Sequence, residues 1–68
     1  MIDIWKYKDL NKIILTDVNN TSYKGQIVEL IDADEKSDLE EQEDSIVLAV
    51  EGKQIEFLQS EIKAIQVI

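Results

Sequence analysis

Chemistry in this chain has to come from carboxylates, lysines and hydroxyls, because histidine and cysteine are both absent. Without histidine the commonest general base near neutral pH is missing. Serine and threonine are present, but nucleophilic catalysis needs an adjacent base, commonly histidine. A pair of carboxylates can do acid/base work. With 15 aspartates and glutamates in 68 residues, however, such a pair carries no information. Lack of cysteine removes disulfides and thiolate metal sites. The expectation is a protein that is not an enzyme and carries no cofactor.

The carboxylates are unevenly placed. Between Asp32 and Asp44 there are eight of them (Asp32, Asp34, Glu35, Asp38, Glu40, Glu41, Glu43 and Asp44) against the single base Lys36. That stretch therefore carries −7 of the chain's net −8, and the remainder is nearly neutral. Asp32-x-Asp34 opens like a calcium loop, but the EF-hand spacing does not continue and no glycine lies between Gly25 and Gly52. No metal is expected, and a solvated charge run is the better reading. Runs of like charge also serve as interaction surfaces. Asp34, Glu35, Asp38, Glu40, Glu41, Glu43 and Asp44 are thus candidates for contact with a basic partner, or for imitating nucleic acid.

Every basic residue is lysine, and the local cluster is Lys6, Lys8 and Lys12, interleaved with Trp5 and Tyr7. Aromatic rings beside lysines can stack on single-stranded nucleic acid while the ammonium groups meet phosphate. The plainer alternative is that Trp5 and Tyr7 cover one end of the fold and the lysines stay in water.

The elements that must position these residues are short apolar runs separated by turn signals, a β pattern. Strands are expected at Lys12–Thr16, Ser22–Asp32, Ser45–Val50, Gln54–Leu58 and Ala64–Ile68. Asp17–Thr21 is read as a turn, Glu51-Gly52 as a tight turn and Ser60–Ile62 as a short turn. In the second strand Tyr23, Ile27 and Ile31 have one parity, Val28 and Leu30 the other. A strand that changes its buried face is bent, and Gly25 suits such a bend. Ser45–Val50 is a continuous apolar run expected to be buried on both sides. Residues 33–44 are read as an acidic loop insertion with Leu39 its one large apolar residue. Ser37-x-x-Glu40 fits a capping box there, but the helix it would open has no apolar face. At the start, Ile4, Tyr7 and Leu10 fit either one face of a short helix or an irregular arm.

Five strands in one domain spanning 1–68, one of them strongly bent, suggest a closed or nearly closed small barrel, which would remove exposed edges. A chain this short buries only about 60% of its unfolded surface. Self-association is the support left to it once disulfides and metals are gone. No stretch approaches the roughly 18 apolar residues of a membrane span. Met1–Lys6 lacks the basic flank of a signal peptide, so a cytoplasmic setting is expected.

Two segments carry a family resemblance. The first is Ile13-Ile14-Leu15-Thr16-Asp17 followed, after a turn, by Tyr23-Lys24-Gly25-Gln26-Ile27-Val28-Glu29-Leu30-Ile31-Asp32. The second runs from Phe57 to Ile65 and keeps the spacing of Ile62 and Ile65. Together they resemble the Sm-like family, and within it small acidic members from Gram-positive bacteria. The likeness covers roughly Leu10 to Ile68 and implies an all-β, five-stranded, strongly bent Sm-like or SH3-like barrel. It also implies where a base-binding pocket would lie. Ring-forming members use an aromatic and an asparagine from the first motif and an Arg-Gly pair from the second. Here those positions fall on Asp34, Ser45, Leu58 and Gln59, and only Asp32 keeps the pattern. The expectation is therefore a protein-interaction or assembly module, with a protein partner or self-association. RNA binding through Trp5, Lys6, Tyr7, Lys8, Lys12 and Asp32 is the first alternative, and an acidic nucleic-acid mimic is the second.

Overall fold

The computed structural model describes residues 3–7, 11–33 and 43–68. The five strands expected from the apolar runs are all present: β1 (Lys12–Asp17), β2 (Ser22–Ile31), β3 (Ser45–Val50), β4 (Lys53–Leu58) and β5 (Ile62–Val67). They form one antiparallel sheet in the order β4-β3-β2-β1-β5. The remaining elements among the described residues are single 3-10 turns at Ile4–Lys6 and Gln59–Glu61. Between the helix and the arm left open by Ile4 and Tyr7, the molecule adopts one 3-10 turn, whose Ile4 side chain is fully buried. Leu10 lies outside the described residues.

Asp17 builds the β1–β2 turn. Its carboxylate accepts the N–H groups of Asn19 at 2.9 Å and Thr21 at 3.0 Å, while its carbonyl accepts that of Asn20 at 2.9 Å. Asn20 takes φ of 66°, a left-handed conformation that asparagine tolerates. The β3–β4 turn has positive φ at both Glu51 (50°) and Gly52 (82°), the requirement of a two-residue hairpin turn.

The phase change in β2 has a clear origin. β1 pairs with Ser22–Gln26, whereas β3 pairs from Gln26 onward to Ile31, so the two ladders overlap at Gln26. The β3 register then slips between Ile27 and Glu29, leaving Val28 as an exposed bulge. One extra residue rotates the strand, so Ile27 before it and Leu30 after it both reach the core. Gly25 stands at the crossing. A Cβ there would lie 2.1 Å from the Ala49 carbonyl oxygen, so only glycine lets the two backbones approach.

The core is Ile4, Ile13, Leu15, Ile27, Ile46, Leu48, Phe57 and Ile62, with Tyr23 set against the Phe57 ring at 5.0 Å between centroids. Each strand interior contributes one or two of these, so burial of a common apolar surface holds the sheet in its curl. β3, paired on both edges, has no exposed residue. Its apolar run is fully buried only at Ile46 and Leu48, however, while Val47, Ala49 and Val50 are half-buried rather than buried on both sides.

The fold differs from the expected closed barrel on one point. β4 and β5 lie at opposite edges, and no ladder joins them among the described residues. Yet only Gln59–Glu61 separates them, a link that spans at most about 14 Å. Flat strands five abreast would place the edges about 19 Å apart. The sheet is therefore rolled until its edges meet at one corner. It stays open beyond that corner because the register with β1 from Ile13 to Asp17 fixes the course of β5.

Candidate functional site

Three groups of residues carry polar chemistry, and the first sits at the base of the acidic segment. The Asp44 carboxylate accepts the Trp5 indole N–H at 2.6 Å and the Ala33 backbone N–H at 2.8 Å. Its carbonyl accepts the N–H of Gln59 at 2.9 Å. One residue thus ties the N-terminal arm, the end of β2 and the end of β4 together. Next to it, Glu43 accepts the backbone N–H of Ser60 at 2.8 Å and its hydroxyl at 3.0 Å. Bonds to an ionised acceptor are the stronger kind. Two of the seven acids proposed as an interaction surface are therefore engaged in bonds within the chain. Asp34, Glu35, Asp38, Glu40 and Glu41 lie outside the described residues.

The same corner brings together Ser45, Leu58 and Gln59, three of the positions to which the family resemblance assigns a base pocket. Ser45 pairs across the sheet with Leu58, and Gln59 binds Asp44. The chemistry there is not that of a pocket. Ser45 is fully buried, and its hydroxyl donates to the Glu56 carboxylate at 2.6 Å. Asp32 is half-buried at the end of β2, and its polar group is engaged.

The aromatic arm forms the second group. Trp5 is 45% exposed, with its N–H held by Asp44. Tyr7 is half-buried against the core, its hydroxyl 3.4 Å from the Ile65 carbonyl oxygen on β5. Lys6 is exposed, with its ammonium 5.9 Å from the Tyr7 ring centre. Lys8 lies outside the described residues.

Lys12 belongs to the third group, which sequence reading missed. It lines a cavity of about 310 Å³ together with Lys24, Gly25, Gln26, Ala49, Glu51 and Ile68. Lys24 also lines an adjoining cavity of about 500 Å³, with Lys53, Tyr23, Val50 and Ile55 among its walls. The two share Glu51. Lys24 and Lys53 are far apart in sequence, which hid the grouping. The signal was nonetheless present in the hairpin. Folding it about Asn19 sets Lys12 opposite Gln26, which places Lys12 and Lys24 diagonally on one face.

Among the described residues, no group of three acids could hold a metal ion, and no helix is long and apolar enough to cross a membrane. What the arrangement offers is binding surface: open strand edges, an exposed indole and a lysine-lined cleft. No family model, curated protein or solved structure matches the chain.

Proposed function

We propose that this chain is an Sm-like assembly module without catalytic activity, which joins copies of itself through backbone pairing of its outer strands. The observation that carries this reading is the pair of open edges on β4 and β5, six residues each. The Ile68 N–H donates to the Lys12 carbonyl at 3.0 Å, so by alternation Ile65 and Val67 turn their N–H and C=O groups away from β1. The Tyr7 hydroxyl meets the Ile65 carbonyl at 3.4 Å, so the edge is open chiefly at Val67. Val67 and Ile68 are 51% and 61% exposed, which adds apolar surface to that edge. An open edge is a template for another strand. Adding β4 of one copy to β5 of the next is a head-to-tail contact, which closes into a ring when its rotation allows.

The corner chemistry supports assembly over RNA binding. The pocket positions hold a buried serine, a leucine and a glutamine, while Glu43 and Asp44 add negative charge beside them. The same two residues weigh against the nucleic-acid mimic, because their carboxylates already bond to groups of the chain itself.

Analytical ultracentrifugation over a concentration series tests the reading with Val67→Pro. The substitution removes an N–H that faces away from β1, so the fold persists. The association constant should fall at least tenfold, about 1.4 kcal/mol per contact. A wild-type protein that stays monomeric throughout overturns the proposal. So does micromolar binding of short uridine-rich or adenine-rich RNA that Trp5→Ala abolishes.

A further inference from the structure

We infer that the cleft where β2 and β3 part is a docking groove for an extended segment of a partner protein, in which acidic and apolar residues alternate. The first observation is a missing neighbour. The β2–β3 ladder ends at the pair of Gln26 and Ala49, while β2 continues back to Ser22 with β1 on one side only. This short run is a third open edge, inside the sheet rather than at its margin. The β3–β4 turn veers off through the positive φ values of Glu51 and Gly52, and the space it leaves is the pair of adjoining cavities.

The second observation is the chemistry of the walls. Tyr23, Val50 and Ile55 pack against the core and give the larger cavity an apolar floor. Lys24, next along β2 from Tyr23, turns to the opposite face and joins Lys12 in the smaller cavity. Lys53 is a further wall residue of the larger one. Among the described residues that line the two cavities, Glu51 is the single acidic side chain beside Lys12, Lys24 and Lys53. Three lysines against one acidic side chain in the described lining make the groove basic in a protein of net charge −8.

A strand added beside Ser22–Gly25 must alternate. Residues of one parity turn down onto Tyr23, Val50 and Ile55, and residues of the other turn toward Lys24 and Lys12. Main-chain bonds supply general affinity and the alternate side chains supply the selection, as in strand-addition recognition elsewhere. The groove lies on one copy and shares only Ile68 with the β5 edge, so binding is expected in the unassembled protein as well.

Fluorescence anisotropy with a labelled ten-residue peptide of alternating glutamate and valine is the test, using the full chain as wild type and as Val67→Pro. Both proteins should bind it. The double variant Lys12→Ala/Lys24→Ala should weaken binding at least tenfold, while Lys6→Ala, which lines neither cavity, should leave it unchanged. Equal affinity for a polyglutamate of the same length would overturn the proposal, because charge alone would then suffice. Displacement of the peptide by a single-stranded oligonucleotide of equal charge at a lower concentration would overturn it too. So would release of the peptide as the wild-type protein associates, since the occupant would then be a second copy. Loss of assembly with peptide binding kept would sink only the edge-pairing function, and the reverse only the groove.

Discussion

Asp44 separates a charge from a fastener. Its carboxylate holds two N–H groups from segments far apart in sequence, the Trp5 indole and the Ala33 backbone. Removing the carboxylate releases the exposed Trp5 N–H to water but strands the partly buried Ala33 N–H, and an unpaired buried donor costs about 1–3 kcal/mol. Asp44→Ala should therefore lower stability by about 2 kcal/mol in urea unfolding. It should also shift Trp5 emission to longer wavelength, as the indole loses its anchor and meets more water. Ser45→Ala offers a contrast. It deletes the donor, while Glu56 is exposed and already solvated in part, so the change should be the smaller one. Composition treats Glu43 and Asp44 as two more acids in a run of eight. Their roles were not legible, since a hydrogen bond to Ser60 or Trp5 depends on where the fold returns.

At the scale of the element, β2 decides the architecture. It is one strand shared by two ladders, bent at the point where a side chain on Gly25 would strike Ala49. Gly25→Ala should cost about 2–3 kcal/mol, because the clash is with backbone, which has no rotamer to relieve it. The thermal midpoint by circular dichroism should fall accordingly, whereas Gly52→Asn, at a turn with open space around it, should change it little. This bend was readable in the sequence. Apolar residues that change parity need a bulge, and an interior glycine marks the crossing. The strands themselves were readable for the same reason, since burial on one face imposes a period of two. The open edges were not. Whether a curled sheet closes depends on one pairing between β4 and β5, and both carry the same apolar pattern whether paired or not. The lysine-lined cleft was hidden in a related way, because Lys12, Lys24 and Lys53 meet only once the registers of two hairpins are fixed.

For the whole molecule, the balance lies between edges that favour association and charge that opposes it. The acidic segment holds most of the −8, so neighbouring copies repel one another at low ionic strength. Its base must stay, since Glu43 and Asp44 fasten it to Ser60, Trp5, Ala33 and Gln59. Replacing residues 35–42 with a short glycine-serine linker therefore tests the segment without touching its anchors. The replacement removes four acids and one lysine, so the net charge goes from −8 to −5. Shortening a loop changes closure entropy only slowly, and unfolding should shift by less than about 1 kcal/mol. Association should strengthen at low salt, where repulsion is long-ranged, and match wild type near 0.5 M salt, where the screening length falls to roughly 4 Å. Sedimentation equilibrium at the two salt concentrations measures both limits. A linker variant that associates no more tightly than wild type at low salt would mean that the acids do not oppose the edges. The segment would then have to be read as a contact surface in its own right. The replacement also separates fold from charge in a way that deletion through Asp44 does not, because that deletion would unfasten the arm as well.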